Sequence, residues 1–134
     1  IDGGADADDI IGGDGNDTFV FDSSGLGSAG SPSQDVIGDF DASSDTDNID
    51  ISAILNGLDV GIGDGRGAKV DNYVDLSESA DGVTISIKQD GSNVEQNIVL
   101  SDLTLDDLYQ GDSSGATEAE ILQKMINDSN LTVN

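Results

Sequence analysis

The sequence predicts a mainly β chain. A short parallel β-roll is capped by an antiparallel β meander, with one or two short helices near the C-terminus. Three observations predict this. Two nonapeptides repeat in phase over residues 3–11 and 12–20. Apolar and polar residues alternate with period two through much of residues 71–100. A capping box, Thr117-Glu118-Ala119-Glu120, precedes an apolar stripe at helical spacing.

The repeats come first. Gly12-Gly13-Asp14-Gly15-Asn16-Asp17-Thr18-Phe19-Val20 fits G-G-x-G-x-D-x-U-x, with U a large apolar residue, at every specified position. Gly3-Gly4-Ala5-Asp6-Ala7-Asp8-Asp9-Ile10-Ile11 fits it with one departure, Asp6 where the fourth-position glycine belongs. Glycine allows a tight turn that a Cβ resists. Such a turn aims backbone carbonyls inward, and the aspartate adds a carboxylate. The result is a set of hard oxygen donors of the kind Ca²⁺ takes. The pattern matches the calcium-binding repeat of parallel β-rolls, so the predicted fold is a calcium-bound parallel β-roll. The apolar eighth residues, Ile10 and Phe19, enter short strands and bury their side chains. One coil takes two repeats, so successive loops fall on opposite edges and a complete site draws on stacked coils.

The remaining elements follow in order. Residues 18–21 predict a strand. Residues 22–34 predict a polar loop containing Gly25-Leu26-Gly27-Ser28-Ala29-Gly30. That stretch satisfies G-x-G-x-x-G by letter, but Ser31-Pro32-Ser33 follows where a dinucleotide site needs a helix. Val36, Ile49 and Ile51 fit strands, with a turn over residues 40–47. Followed along the coil, Asp8 is expected to share an ion with Asp22 or Asp35, and Asp17 with Asp45 or Asp47. Asp39, Asp41 and Asp50 are read singly as solvating turns. A short helix is expected at residues 52–56, capped by Ser52, then an irregular crossing over residues 57–67. Val83, Ile85 and Ile87 alternate with Thr84, Ser86 and Lys88, and Asp81-Gly82 and Asp90-Gly91 are turn signals. The meander's apolar face is expected to cover the open end of the roll, whose last coil exposes core and an unpaired strand edge. Residues 104–109 predict one or two helical turns. The stripe Ile121, Leu122, Met125 and Ile126 is expected to pack on the sheet. The units are residues 1–52 (roll and transition), 53–100 (β cap) and 101–134 (helical C-terminal region), within one compact whole.

Charge bounds the function. The net charge is −24; of 28 acidic residues 24 are Asp and only 4 Glu, so the acidity belongs to turns rather than helices. Only Arg66, Lys69, Lys88 and Lys124 oppose it. Folding crowds these carboxylates, and a bound divalent cation relieves the repulsion. A saline habitat would add to the charge without replacing the motif. Nucleic acid and anionic membranes are poor partners for such a surface. No segment is long and apolar enough for a spanning helix, so no membrane insertion is expected. Cysteine is absent, which removes disulfides and thiolate metal sites and leaves calcium as the staple. No basic stretch followed by an apolar one opens the chain, so no cleavable leader is visible. Ile1-Asp2 reads as the tail of a preceding repeat, as in a piece of a longer array. Catalysis is not expected. Histidine is absent, so Gly111-Asp112-Ser113-Ser114-Gly115, a G-x-S-x-G by letter, has no base. An aromatic content of 4% gives little material for a sugar cleft.

The order of these pieces goes further. The repeats lead into DTFVFD, then DVIGDFDASSDTDNIDIS, then a meander ending NIVLSDL, then an amphipathic helix and a short tail. This resembles the C-terminal region of repeats-in-toxin (RTX) proteins, and more narrowly the type I secretion target domain of very large bacterial adhesins, including biofilm ones. The resemblance implies Ca²⁺ ligation by the Asp8 and Asp17 side chains and by carbonyls of the loops holding Gly3, Gly4, Asp6, Gly12, Gly13 and Gly15. Asp22, Asp35, Asp45 and Asp47 are the candidates to complete the sites. The resemblance also implies an uncleaved export signal within residues 101–134. Its readers would be a type I machinery of ABC transporter, adaptor and outer-membrane channel. A secreted or cell-surface location and a monomeric chain are the corresponding expectations. Two alternatives stand beside this: the roll of a secreted protease or lipase, and a calcium-dependent glycan-binding module.

Overall fold

The computed structural model describes residues 1–28 and 30–134; Ala29, in the glycine-rich stretch of the 22–34 loop, lies outside the described residues. Among the described residues eight strands run in chain order: β1 (Asp9–Ile10), β2 (Thr18–Val20), β3 (Ser33–Ile37), β4 (Asn48–Asp50), β5 (Val74–Ser79), β6 (Gly82–Ile87), β7 (Gln96–Ser101) and β8 (Leu131–Thr132). Three helices join them: α1 (Arg66–Val70), α2 (Leu105–Tyr109) and α3 (Glu118–Asn127). The strands form a five-stranded sheet, order β1-β3-β7-β6-β5, and a three-stranded sheet, order β2-β4-β8.

The two repeats therefore feed different sheets, as a coil of two repeats requires. β1 pairs with β3 in parallel, β2 with β4 in parallel, and β4 with β8 in parallel. The inward positions of both sheets bury Phe19, Ile37, Ile49, Ile51, Ile98 and Leu100 almost completely. Each such side chain contributes roughly 1.5–3 kcal/mol on leaving water. Phe19 also meets Phe40, ring centroids 6.2 Å apart and tilted 45°. The mainly β roll with a meander and short helices is the predicted class.

The meander joins the roll differently from expectation. β7 pairs in parallel with β3 across Ser33↔Gln96 to Ile37↔Leu100, and β6 and β5 follow antiparallel. It thus extends one sheet of the roll sideways, and does not lie face-down across the roll's end. Edge pairing satisfies the open backbone of β3, which face packing would leave bare. Residues 52–57 form turns rather than a helix: Ser52 bonds back to Asp50 instead of capping, and Gly57 at φ 85° ends the turn. The crossing over residues 57–67 is more regular than expected, holding a 3-10 turn (Gly63–Gly65) and the start of α1. Gly67 lets α1 lie against α3, since a Cβ there would strike the Ala119 carbonyl.

α3 forms where its capping box predicts. Thr117 Oγ1 accepts from the Glu120 amide at 3.2 Å, and the Glu120 carboxylate accepts from the Thr117 amide at 3.0 Å. Its stripe buries Ile121, Leu122 and Met125, with Ile126 partly covered. α2 carries a second capping box, Thr104 with Asp107. The C-terminal tail is a strand rather than a loose end: β8 supplies the third rung of the smaller sheet.

Candidate metal centre

Each nonapeptide builds the same loop. Gly4, Gly13 and Gly15 hold φ of 89°, 97° and 98°, the left-handed region. Asp6, standing where the second repeat has Gly15, is forced into the same region at φ 80°. An L-residue there costs on the order of 1 kcal/mol, so the departure in the first repeat strains its turn.

The sixth-position aspartates fold back beneath the first glycine of their own loops. A Cβ on Gly3 would sit 3.0 Å from Asp8 Oδ2, and one on Gly12 2.7 Å from Asp17 Oδ2. Both of these carboxylate oxygens are buried with no hydrogen-bond partner. Among the described residues the only other such atom is Arg66 Nε. A buried, unpaired carboxylate oxygen is costly, more so than a neutral group. The same defect at the same position of two repeats, under a glycine whose missing Cβ makes the space, fits a separate cation at each loop, bound by that loop's aspartate oxygen. Among the described residues no three carboxylates gather into a metal cage. An ion here would therefore take most of its ligands from backbone carbonyls.

Strand register sets the second coil directly beneath. Asp9↔Val36 places Asp8 over Asp35, and Thr18↔Asn48 places Asp17 over Asp47. Asp35 Oδ1 accepts from the Asp8 amide at 2.8 Å, and Asp47 Oδ1 from the Asp17 amide at 2.9 Å. Burial pushes the Asp35 carboxyl upward, opposed by the Asp8 amide and Gln96. Asp45 Oδ2 accepts from the Gly15 amide at 3.3 Å. Asp22 is exposed and bonds its own turn at Ser24, whose hydroxyl and amide lower its pKa. Of the two partners expected for each repeat aspartate, register brings Asp35 under Asp8 and Asp47 under Asp17.

Asp39, expected from sequence to solvate a turn, instead bridges the coils. Its two oxygens accept from the Gly12 and Gly13 amides at 2.9 and 2.8 Å. A signal existed: Gly12 to Asp39 and Asp8 to Asp35 both span 27 residues. Asp41 organises its own turn, where the Ser44 hydroxyl and the Ser43 and Ser44 amides hold its carboxyl far below the usual range. The loop over residues 22–34 packs under the first repeat, since a Cβ on Gly25 would lie 2.7 Å from the Gly4 carbonyl. Ser33 Oγ donates to the Asp6 carbonyl at 3.3 Å.

No protein-family model matches the chain, and no curated protein matches it closely. Among solved structures it is similar to the AlgE6R3 subunit of the mannuronan C5-epimerase from Azotobacter vinelandii, solved in solution. The two are 31% identical over 86% of this chain and 65% of that one, with a TM-score of 0.47. The chain thus spans just under two thirds of that structure's length.

Proposed function

We propose that this chain is the calcium-binding end of an RTX roll and the type I secretion target region of a large secreted or surface adhesin. The carrying observation is the pair of buried, unpaired oxygens, Asp8 Oδ2 and Asp17 Oδ2, at equivalent positions of the two repeats. Carbonyls of the Gly3–Asp6 and Gly12–Gly15 turns complete each ligand set. Bound Ca²⁺ supplies the positive charge that these oxygens lack.

The chain's own residues make folding depend on that charge. Twenty-eight acidic side chains face four basic ones. Three of the four are already engaged: Lys69 with Asp59, Lys88 with Asp75 and Lys124 with Asp128. Little internal positive charge is left for the loops. Extracellular-type sites bind at about 10⁻⁴–10⁻³ M, far above cytosolic calcium. Inside the cell, repulsion and glycine entropy hold the roll open. Outside, binding energy becomes folding energy. An open chain threads a narrow conduit, and a folded one resists return. The export signal lies within residues 101–134.

Far-UV circular dichroism tests the first half. The chain should show little structure in chelator and fold cooperatively as calcium is added; equal thermal stability in both refutes it. Export through a type I machinery, compared with and without residues 117–134, tests the second. Unimpaired export of the truncated chain refutes the signal assignment.

A further inference from the structure

The polar columns on the two edges of the roll close on amides. On one edge Asp8 stands over Asp35, and the register Asp35↔Ile98 places an isoleucine on the third rung. On the other edge Asp17 stands over Asp47, and the register Ile49↔Leu131 carries Ser129 to the third rung. Neither column has a third carboxylate. Gln96, 2% exposed, instead donates Nε2 to Asp35 Oδ2 at 2.7 Å. Asn130, fully buried, donates Nδ2 to the Asp47 carbonyl at 2.8 Å, and its own carbonyl accepts from the Ile49 amide at 3.0 Å.

The two rungs differ in what they lack. Asp35 has both oxygens filled, one by the Asp8 amide and one by Gln96. Asp47 has both filled by amides, from Asp17 and from Asp41, each at 2.9 Å. Asp8 and Asp17, one rung up, each keep a buried oxygen without a donor. A carboxylate satisfied by two N–H donors tolerates burial without a cation, because hydrogen bonds to the charged form offset desolvation. A primary amide gives such donors and adds no charge of its own.

We infer that Gln96 and Asn130 terminate the ion columns. The demand for a divalent cation is confined to Asp8 and Asp17, while Asp35 and Asp47 act as acceptors that hold the coils in register. This rests on the calcium reading above and assigns its ligands by rung. It also explains how a roll ends: the next carboxylate is replaced by an apolar or small residue; on one edge Gln96 fills the carboxylate above, and on the other the Asp41 amide fills it while Asn130 holds the Asp47 carbonyl.

Calcium titration calorimetry on the full chain separates the rungs. Asp8→Asn and Asp17→Asn should each lower the number of bound ions by one. Asp35→Asn and Asp47→Asn should leave the number as in the wild type, because asparagine keeps one oxygen for the amide above. If Asp35→Asn loses an ion as Asp8→Asn does, the inference is overturned while the calcium reading stands. Wild-type protein that takes up no calcium overturns both. Gln96→Glu tests the seal separately. An ionised glutamate cannot donate to Asp35, so this variant should melt below the wild type at pH 7 in saturating calcium. The deficit should shrink as pH falls below 7, because burial beside the Asp35 carboxylate raises the introduced carboxyl's pKa and returns a proton to donate. No deficit, or one that pH does not move, refutes the role of the amide.

Discussion

Gly12→Ala probes the link between loop packing and the carboxylate beneath it. The added Cβ would lie 2.7 Å from Asp17 Oδ2, 3.0 Å from Asp17 Cγ and 2.9 Å from Phe19 Cζ. Phe19 is fully buried against Phe40 and has nowhere to go. The Asp17 carboxylate must move instead. Overpacking of this kind costs about 1–3 kcal/mol, read in urea at saturating calcium. Displacing the oxygen also costs calcium affinity, about tenfold for each 1.4 kcal/mol of lost ligation. Gly13→Ala is the control. Its φ of 97° makes alanine pay about 1–2 kcal/mol of backbone strain, yet nothing lies within 4 Å of the new Cβ. Both variants should therefore lose similar packing and backbone stability, and Gly12→Ala should need at least about tenfold more calcium to fold than Gly13→Ala, read as the calcium midpoint of the far-UV circular dichroism transition. Equal calcium affinity in the two variants would refute the placement of Asp17 as a ligand.

Other perturbations follow from the same packing. Leu122→Ala removes a fully buried side chain of α3 and should cost about 2–5 kcal/mol in urea unfolding; a loss under about 1 kcal/mol would mean that the helix does not seat there. Gly82→Ala combines φ 138° with a Cβ driven into the Leu100 carbonyl. It should cost at least about 2 kcal/mol, and near-wild-type melting would contradict the β6–β7 register. Glu118 accepts from the Leu76 amide at 2.8 Å on β5, and burial raises its pKa, with Asp71 and Asp75 adding to the effect. A carboxyl raised in the fold is more easily protonated there than in the open chain, so it weakens the fold as pH rises through its folded pKa. Glu118→Gln keeps the acceptor and should raise the melting temperature at pH 7 but not near pH 3, below the range of an ordinary glutamate. A gain that persists at low pH would assign the effect to something other than charge.

Much of the fold was legible because it rests on local chemistry. The nonapeptide glycines specify turns by backbone freedom, and Phe19 sits where the eighth position demands burial. Thr117 and Glu120 announce α3 through bonds three residues apart. The parts that sequence missed depend on distant partners. β8 has only two residues and no alternation to detect; it is a strand because β4 offers an open edge. The meander's place beside β3 follows from register, which no local pattern encodes. Asp39 looked like one more turn aspartate until the coil set it beside the Gly12 and Gly13 amides. Residues 52–56 lacked the length to sustain a helix once Gly57 turned left-handed.

The placement of β8 has a temporal meaning. Asn130 reaches Asp47 across 83 residues, and Thr132 reaches Asn48 across 84. On the proposed export route, whichever end leads, this closing rung waits until every residue from Asp47 to Asn130 has come through. Contacts so remote along a chain form slowly, so on that proposed route the final latch would be set by the clock of delivery as much as by the chemistry of the loops.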